Sequence, residues 1–189
     1  MKIVYSHLLN LLERQPKLEE LSELLFQLGH EHEIDGEVLD MEITPNRGDC
    51  LSLKGLARDL NYFYQTKELE KSLMTLPALD LQFDNKAQDL CPNISFMQIE
   101  IEQAPTKYKP YLEAYFSDLG IKKNNFFTDI SNYLAYESGQ PTHCFDQRTM
   151  EGHFSLQKKE LKTNFKTLVD TEIELTDENL IFSLGNEVI

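Results

Sequence analysis

The sequence predicts an α+β protein: a small N-terminal helix and strand module, then a domain mixing helices with a mostly antiparallel sheet. Two patterns carry this prediction. Apolar residues recur at three- and four-residue intervals after Pro16, Asp49, Lys109 and Asn125, the spacing of one helix face. From residue 153 onward the period shortens, and short apolar runs alternate with turn-forming residues.

Element by element, Ser6 caps a short turn reaching Leu12. KLEELSELLFQLG then sets Leu18, Leu21, Leu24, Leu25 and Leu28 on one face, with Gly29 placed for a left-handed C-cap. VLDMEI reads as a half-buried strand through Val38, Met41 and Ile43, and TPNRGD as a turn. CLSLKGLARDLNYFY is a second helix, with Asp49 or Ser52 as cap and Leu53, Leu56, Ala57, Leu60 and Phe63 or Tyr64 inward. Residues 65–80 carry mixed charge and Pro77 and read as a connector, which divides the chain into a module at 1–75 and a second domain at 76–189. In that domain LDLQFD and ISFMQIEI read as strands.

Pro110 suits the first turn of the next helix, where its missing N–H has no intrahelical partner anyway. Tyr111, Leu112, Tyr115, Phe116 and Leu119 form its stripe, and Gly120 stops it. Asn125 caps FFTDISNYLAYES, with Phe126, Phe127, Ile130, Tyr133 and Leu134 expected inward and Gly139 at the exit. HFSLQKK, FKTLV, EIEL and IFSL are strands, with Asp170 and Thr171 at a hairpin turn. The final GNEVI starts a fresh apolar pattern, and the sheet is expected to continue in further protein, because open sheet edges are usually blunted.

A chain of 189 residues can bury a sizeable core without disulfides. Its three cysteines, Cys50, Cys91 and Cys144, are widely spaced with no CxxC pair, which fits reduced thiols in a cytoplasm. MKIVYSHLLN runs directly into acidic residues, with neither a signal peptide nor the roughly 20 apolar residues that span a bilayer. A cytoplasmic protein without membrane contact is expected. With 18 basic and 32 acidic residues the formal charge is −14, so the isolated chain is expected to bind RNA weakly. No GxGxxG, P-loop or HExxH occurs, which excludes the usual nucleotide and metalloprotease motifs; no cofactor is expected.

Two stretches stand apart. In ESGQPTHCFDQ, Gly139 and Pro141 set a bend that delivers His143 from a helix end, and Asp146 is placed to fix its tautomer. The imidazole can bond a ribose hydroxyl, orient a water in a concave polar pocket, or simply bond a backbone carbonyl. A zinc site from His143, Cys144, Asp146 and His153 lacks the usual ligand spacing, and a Cys144–His143 nucleophile lacks an activating helix terminus. No metal and no catalytic group are assigned. In TPNRGDC, Pro45 fixes a turn, Asn46 and Asp49 can bond backbone N–H groups, and Arg47 can bridge carboxylates, a structural role.

MEITPNRGDCLSLKGLARDL, residues 41–60, resembles the TPNRxDCLSxxGxAR signature of the bacterial phenylalanine-tRNA ligase beta subunit. GIKKNNFFTDISNYLAYESGQPTHCFD resembles that family's VVDITNYVxxELGQPxHAFD segment, and the strands after it also resemble the family. The resemblance implies the N-terminal module joined to the first part of the domain that hydrolyses tyrosine wrongly attached to phenylalanine tRNA. His143 then falls on the editing-pocket histidine, Asn132, Gln140 and Asp146 on its polar neighbours, and Cys144 on an alanine. Family partners are the alpha subunit, where aminoacylation occurs, and phenylalanine tRNA.

The departures are equally specific. HEHEIDGEVLDMEITPNR runs across the join where the family carries a tRNA-binding OB-fold insert, and the glycine-rich strand and acidic residue that complete the editing domain have no counterpart here. Glu113 and Asp118 stand where the family is often arginine-rich, although Lys122 and Lys123 remain. The resemblance thus implies a beta-subunit-like component of tRNA aminoacylation and editing that is not catalytic alone. The alternative is a non-catalytic scaffold or protein-interaction module on the same fold.

Overall fold

The computed structural model describes residues 1–67, 74–158, 162–167 and 170–189. The fold is α+β, in two compact units: Met1–Leu73 with Glu102–Cys144, and Met74–Ile101 with Phe145–Ile189. In the first unit, β1 (Lys2–Val4), β2 (Glu31–Asp35) and β3 (Val38–Glu42) form an antiparallel sheet in the order β1-β3-β2. Only β3 was legible as a strand. In β2 the acidic Glu31, Glu33 and Asp35 alternate with His32 and Ile34, and only His32 is buried. A two-residue turn, Gly36–Glu37, joins β2 to β3, with Gly36 at φ +62°, the handedness that matches strand twist. This hairpin closes the join at which the resemblance places an insert.

Against the sheet and one another pack α1 (Tyr5–Leu9), α2 (Leu18–Gln27), α3 (Leu53–Tyr64), α4 (Pro110–Asp118) and α5 (Phe126–Ser138). Ile3, Leu8, Leu21, Leu25, Leu39, Leu56 and Leu60 are fully buried in one core. Each such side chain contributes about 1.5–3 kcal/mol of transfer free energy. Leu112, Tyr115, Phe116 and Tyr136 join the same core, and α5 contacts α3. Residues 102–144 therefore pack with the N-terminal module, although the division at residue 75 grouped them with the later sheet.

The inward face of α5 also differs from expectation. Phe127 is exposed, and Asp129, Tyr136 and Glu137 are the buried positions. Asp129 explains the rotation: its fully buried carboxylate accepts the Tyr108 hydroxyl at 2.6 Å and the Asn124 N–H at 2.9 Å, pinning the segments that precede α4 and α5. That bond pushes the Tyr108 pKa up to about 12.

Tyr136 makes a second buried polar junction. Its hydroxyl accepts the Val4 N–H at 3.1 Å and lies 3.1 Å from His7 Nδ1, while His7 Nε2 stands 3.4 Å from Asp118 Oδ2, too poorly aligned for a full hydrogen bond. With neutral His7 protonated on Nε2, Tyr136 donates to Nδ1; protonation of Nδ1 removes that acceptor. Burial lowers the His7 pKa, and the Asp118 carboxylate only partly opposes it. The unfolded chain therefore takes the proton first. The stability this junction confers is complete above the ordinary pKa of about 6.5 and declines as pH falls below it. Urea midpoints measured from about pH 7.5 down to about pH 5 should fall, and His7→Phe should flatten the fall. An unchanged slope in the variant would assign the effect elsewhere.

The second unit holds a sheet in the order β4-β5-β8-β9, from β4 (Phe83–Asn85), β5 (Phe154–Lys158), β8 (Leu180–Leu184) and β9 (Glu187–Val188), and a hairpin of β6 (Thr163–Lys166) and β7 (Glu172–Leu175). Only the β4–β5 pairing is parallel among the described strands. The rings of Phe83, Phe96, Phe154 and Phe182 cluster on this sheet, the closest pair at 4.7 Å. Asp170 sits at the expected hairpin turn with φ +59° and donates its N–H to Thr167 O at 3.0 Å.

Two strand expectations shrink. LDLQFD contributes only its end to β4, and ISFMQIEI joins no ladder. Met97 and Ile99 are more than three-fifths exposed, so the alternation there has no sheet face to bury against. Part of the connector (68–73), Lys159 of HFSLQKK, and Leu168 and Val169 of FKTLV lie outside the described residues. Among the described residues no helix is long and apolar enough to cross a membrane.

Candidate functional site

The first half of the site begins where α2 ends. Gly29, at φ +85°, donates its N–H to Phe26 O at 3.0 Å, and His30 donates to Leu25 O at 2.8 Å, the paired bonds of a Schellman cap. The cap turns His30 inward, where it is 2 % exposed and its Nε2 lies 3.1 Å from Asp59 Oδ2 on α3. TPNRGDC forms a 3-10 turn over Pro45–Cys50, with Pro45 opening it and Ser52 capping α3 by accepting the Gly55 N–H at 3.0 Å.

Arg47 lies across this turn. Its Nε donates to Asp49 Oδ1 at 3.0 Å, and its Nη2 donates to Asp49 Oδ2 at 3.1 Å, Asp59 Oδ2 at 2.5 Å and Cys50 Sγ at 2.8 Å. Arg58 closes the network by donating to both carboxylates, Asp49 and Asp59. Asp49 thus spends its carboxylate on two guanidiniums, which hold its pKa below the usual range, the Arg47 bond foremost. Burial opposes ionisation of Asp59, yet the bonds from Arg47, His30 and Arg58 outweigh it and lower its pKa. Burial, reinforced by the Asp59 charge, pushes the Cys50 thiol up to about 12, so it is not a nucleophile at neutral pH.

The second half follows α5. Gly139 takes φ +74° at the helix C-cap, with its N–H on Ala135 O at 2.8 Å. A Cβ at Gly139 would lie 3.3 Å from Ser52 Cβ. The bend therefore seats against the residues that follow TPNRGDC, and glycine suits it there both by the backbone conformation and by the close approach. Beyond it Gln140 and His143 are exposed in a loop, and Asn132 is exposed on α5. Cys144 Sγ is 3.9 Å from Ser131 Oγ.

Asp146, in the second unit, is committed to Arg148. Its Oδ1 accepts from Arg148 Nε at 2.9 Å and from the Arg148 backbone N–H at 3.0 Å, and its Oδ2 accepts from Nη2 at 2.6 Å. These bonds lower its pKa to about 2. Asp146 thus forms a bidentate ion pair with Arg148 and caps the short turn over Gln147–Thr149. Two depressions mark the second unit, one of about 470 Å³ beside Asp84, Asn85 and Asn93 and one of about 310 Å³ beside Leu81 and Phe96.

Sequence reasoning did not single out His30, Asp59 or Asp129. The first had a usable signal, because a histidine directly after a helix-ending glycine is in position to be turned inward. Nothing in the spacing of Asp59 or Asp129 distinguished either from a solvated helix carboxylate.

Residues 97–189 match the B3/4 domain family. The chain is also similar to phenylalanine–tRNA ligase beta subunits: 27% identical to that of Psychrobacter arcticus over 158 residues, covering 79% of this chain and 19% of the relative. It is 30% identical to that of Aquifex aeolicus over 148 residues (78% and 19%), and 30% identical to that of Bacteroides fragilis over 156 residues (76% and 19%). The chain thus spans about a fifth of the length of these curated relatives. Over most of its own length it is a distant sequence relative of the phenylalanine–tRNA ligase beta subunit, with the B3/4 match occupying its C-terminal half.

Proposed function

We propose that the chain is a cytoplasmic, beta-subunit-like component acting on aminoacylated phenylalanine tRNA, in which Asn132, Gln140 and His143 contact the tRNA 3′ end and its misattached tyrosyl ester. The observation that carries this reading is the seat of Gly139 on Ser52: it anchors the start of the Gln140–His143 loop on α3 while leaving those side chains exposed. Ester hydrolysis needs little leaving-group assistance. A site of this kind gains most by placing the attacking water and the terminal adenosine with fixed polar groups. With a charge of −14 the chain relies on partners for phosphate contacts, and the alpha subunit is the partner this reading names.

The test is release of tyrosine from tyrosyl-tRNA(Phe) by the chain mixed with an alpha subunit. Release that falls at least about tenfold in His143→Ala, with unchanged thermal stability, supports editing. Absence of release above spontaneous hydrolysis would leave the scaffold reading. The exposure of Met97 and Ile99 within the B3/4 match favours that second reading, since apolar side chains outside any sheet suit contact with another protein.

A further inference from the structure

The carboxylates around Arg47 do more than hold a turn. His30 Nε2, Cys50 Sγ and a carboxylate oxygen of Asp59 all lie within 4.8 Å of one another. His30 Nε2 is 3.1 Å from Asp59 Oδ2, Cys50 Sγ is 3.6 Å from the same oxygen, and Asp49 Oδ2 is 3.7 Å from Cys50 Sγ. Tetrahedral zinc with bonds of about 2.0–2.3 Å separates its donors by about 3.3–3.8 Å. The two separations to Asp59 Oδ2 therefore fall at or near the edge length of a zinc-sized tetrahedron, and the three converging donors combine nitrogen, sulfur and oxygen. Arg47 Nη2 sits among them, at 2.8 Å from the sulfur and 2.5 Å from the Asp59 oxygen.

We propose that His30, Cys50 and Asp59 compose a three-donor site for a zinc-class divalent cation, completed by solvent, which the Arg47 guanidinium fills as a built-in competitor. Charge bookkeeping is consistent with the exchange. Metal entry releases the Cys50 thiol proton to solvent and swings Arg47 outward; the Asp59 carboxylate and the Cys50 thiolate then balance the divalent charge, with His30 neutral and solvent as the remaining ligand. Arg47 has room to leave, being about one-third exposed, whereas His30 and Cys50 are buried and fixed by the α2 cap and the 3-10 turn.

Cobalt(II) is the probe, because a thiolate bound to it gives a near-ultraviolet charge-transfer band. The other two thiols, Cys91 and Cys144, are first replaced by serine. In that background Arg47→Met should develop the band and saturate near one equivalent, binding at least about tenfold more tightly than the chain that keeps Arg47. Adding Cys50→Ser should abolish it. A folded Arg47→Met protein without the band, or equal affinity with Arg47 present, overturns the proposal. Should Arg47→Met unfold, the milder Arg47→Gln is used, and cobalt must either give the band in a folded chain or restore its helical circular dichroism. Failure of both overturns the site.

Discussion

Gly55→Ala is expected to destabilise the first unit by at least about 3 kcal/mol, the largest effect expected of a Gly→Ala change in this chain. Helix propensity argues the other way, since alanine is better than glycine inside α3 by about 1 kcal/mol. Sterics decide the sign. A Cβ at Gly55 would lie 2.0 Å from Asp49 O and 2.8 Å from Cys50 Cα, and both obstacles are backbone, so no rotamer change relieves them. The 3-10 turn must lift off α3, taking Arg47, Asp49 and Cys50 away from Arg58 and Asp59. Two readouts should move together: the urea midpoint falls, and Cys50, fully buried in the parent, becomes reactive toward thiol reagents under native conditions. Gly48→Ala is the control, since nothing lies within 4 Å of its added Cβ. Equal stability of the two variants would mean the turn does not need to approach α3 so closely.

The same glycine shows where sequence reading reaches its limit. The helical period of α3 was plain, and Leu53, Leu56, Ala57 and Leu60 are buried as that period requires. Periodicity reports only which face is apolar, however, and Gly55 sits on the buried face for a different reason: another stretch of backbone lies on it. Nor did the period detect β1 and β2. Three residues are too few for a pattern in β1, and the charges of β2 conceal its register because β2 buries only His32. ISFMQIEI errs in the opposite direction, carrying apolar alternation without a neighbouring strand to bond it. Strand formation is decided by a partner distant in sequence, so it is less legible locally than the leucine face of α2. At the candidate site, the Gly139 bend and the Arg47 bridge followed from residue chemistry. The seat of Gly139 on Ser52, and the convergence of His30 and Asp59, depend on tertiary packing of α5 and α2 around α3 and have no signature at any one position.

Asp59→Ala should cost about 3 kcal/mol at neutral pH, through what it leaves behind as much as through what it removes. The His30 imidazole, 2 % exposed, loses the carboxylate beside its Nε2, and the two guanidiniums lose one of the two carboxylates they share. Arg47 and Arg58 reach solvent and can recover part of their hydration, which keeps the cost at the low end of about 3–5 kcal/mol for a broken buried pair. Asp59→Asn keeps an acceptor oxygen and should lose less. Acid gives an independent check of the sign. Because the folded state depresses the Asp59 pKa, its contribution is complete above the ordinary value of about 4 and is lost as pH falls through the folded value. The stability gap between parent and Asp59→Ala, measured by urea at neutral pH and again near about pH 3, should therefore narrow. A gap that is small at neutral pH would show that the guanidiniums and His30 find other partners. A gap that persists unchanged in acid would show that Asp59 acts by packing rather than by charge.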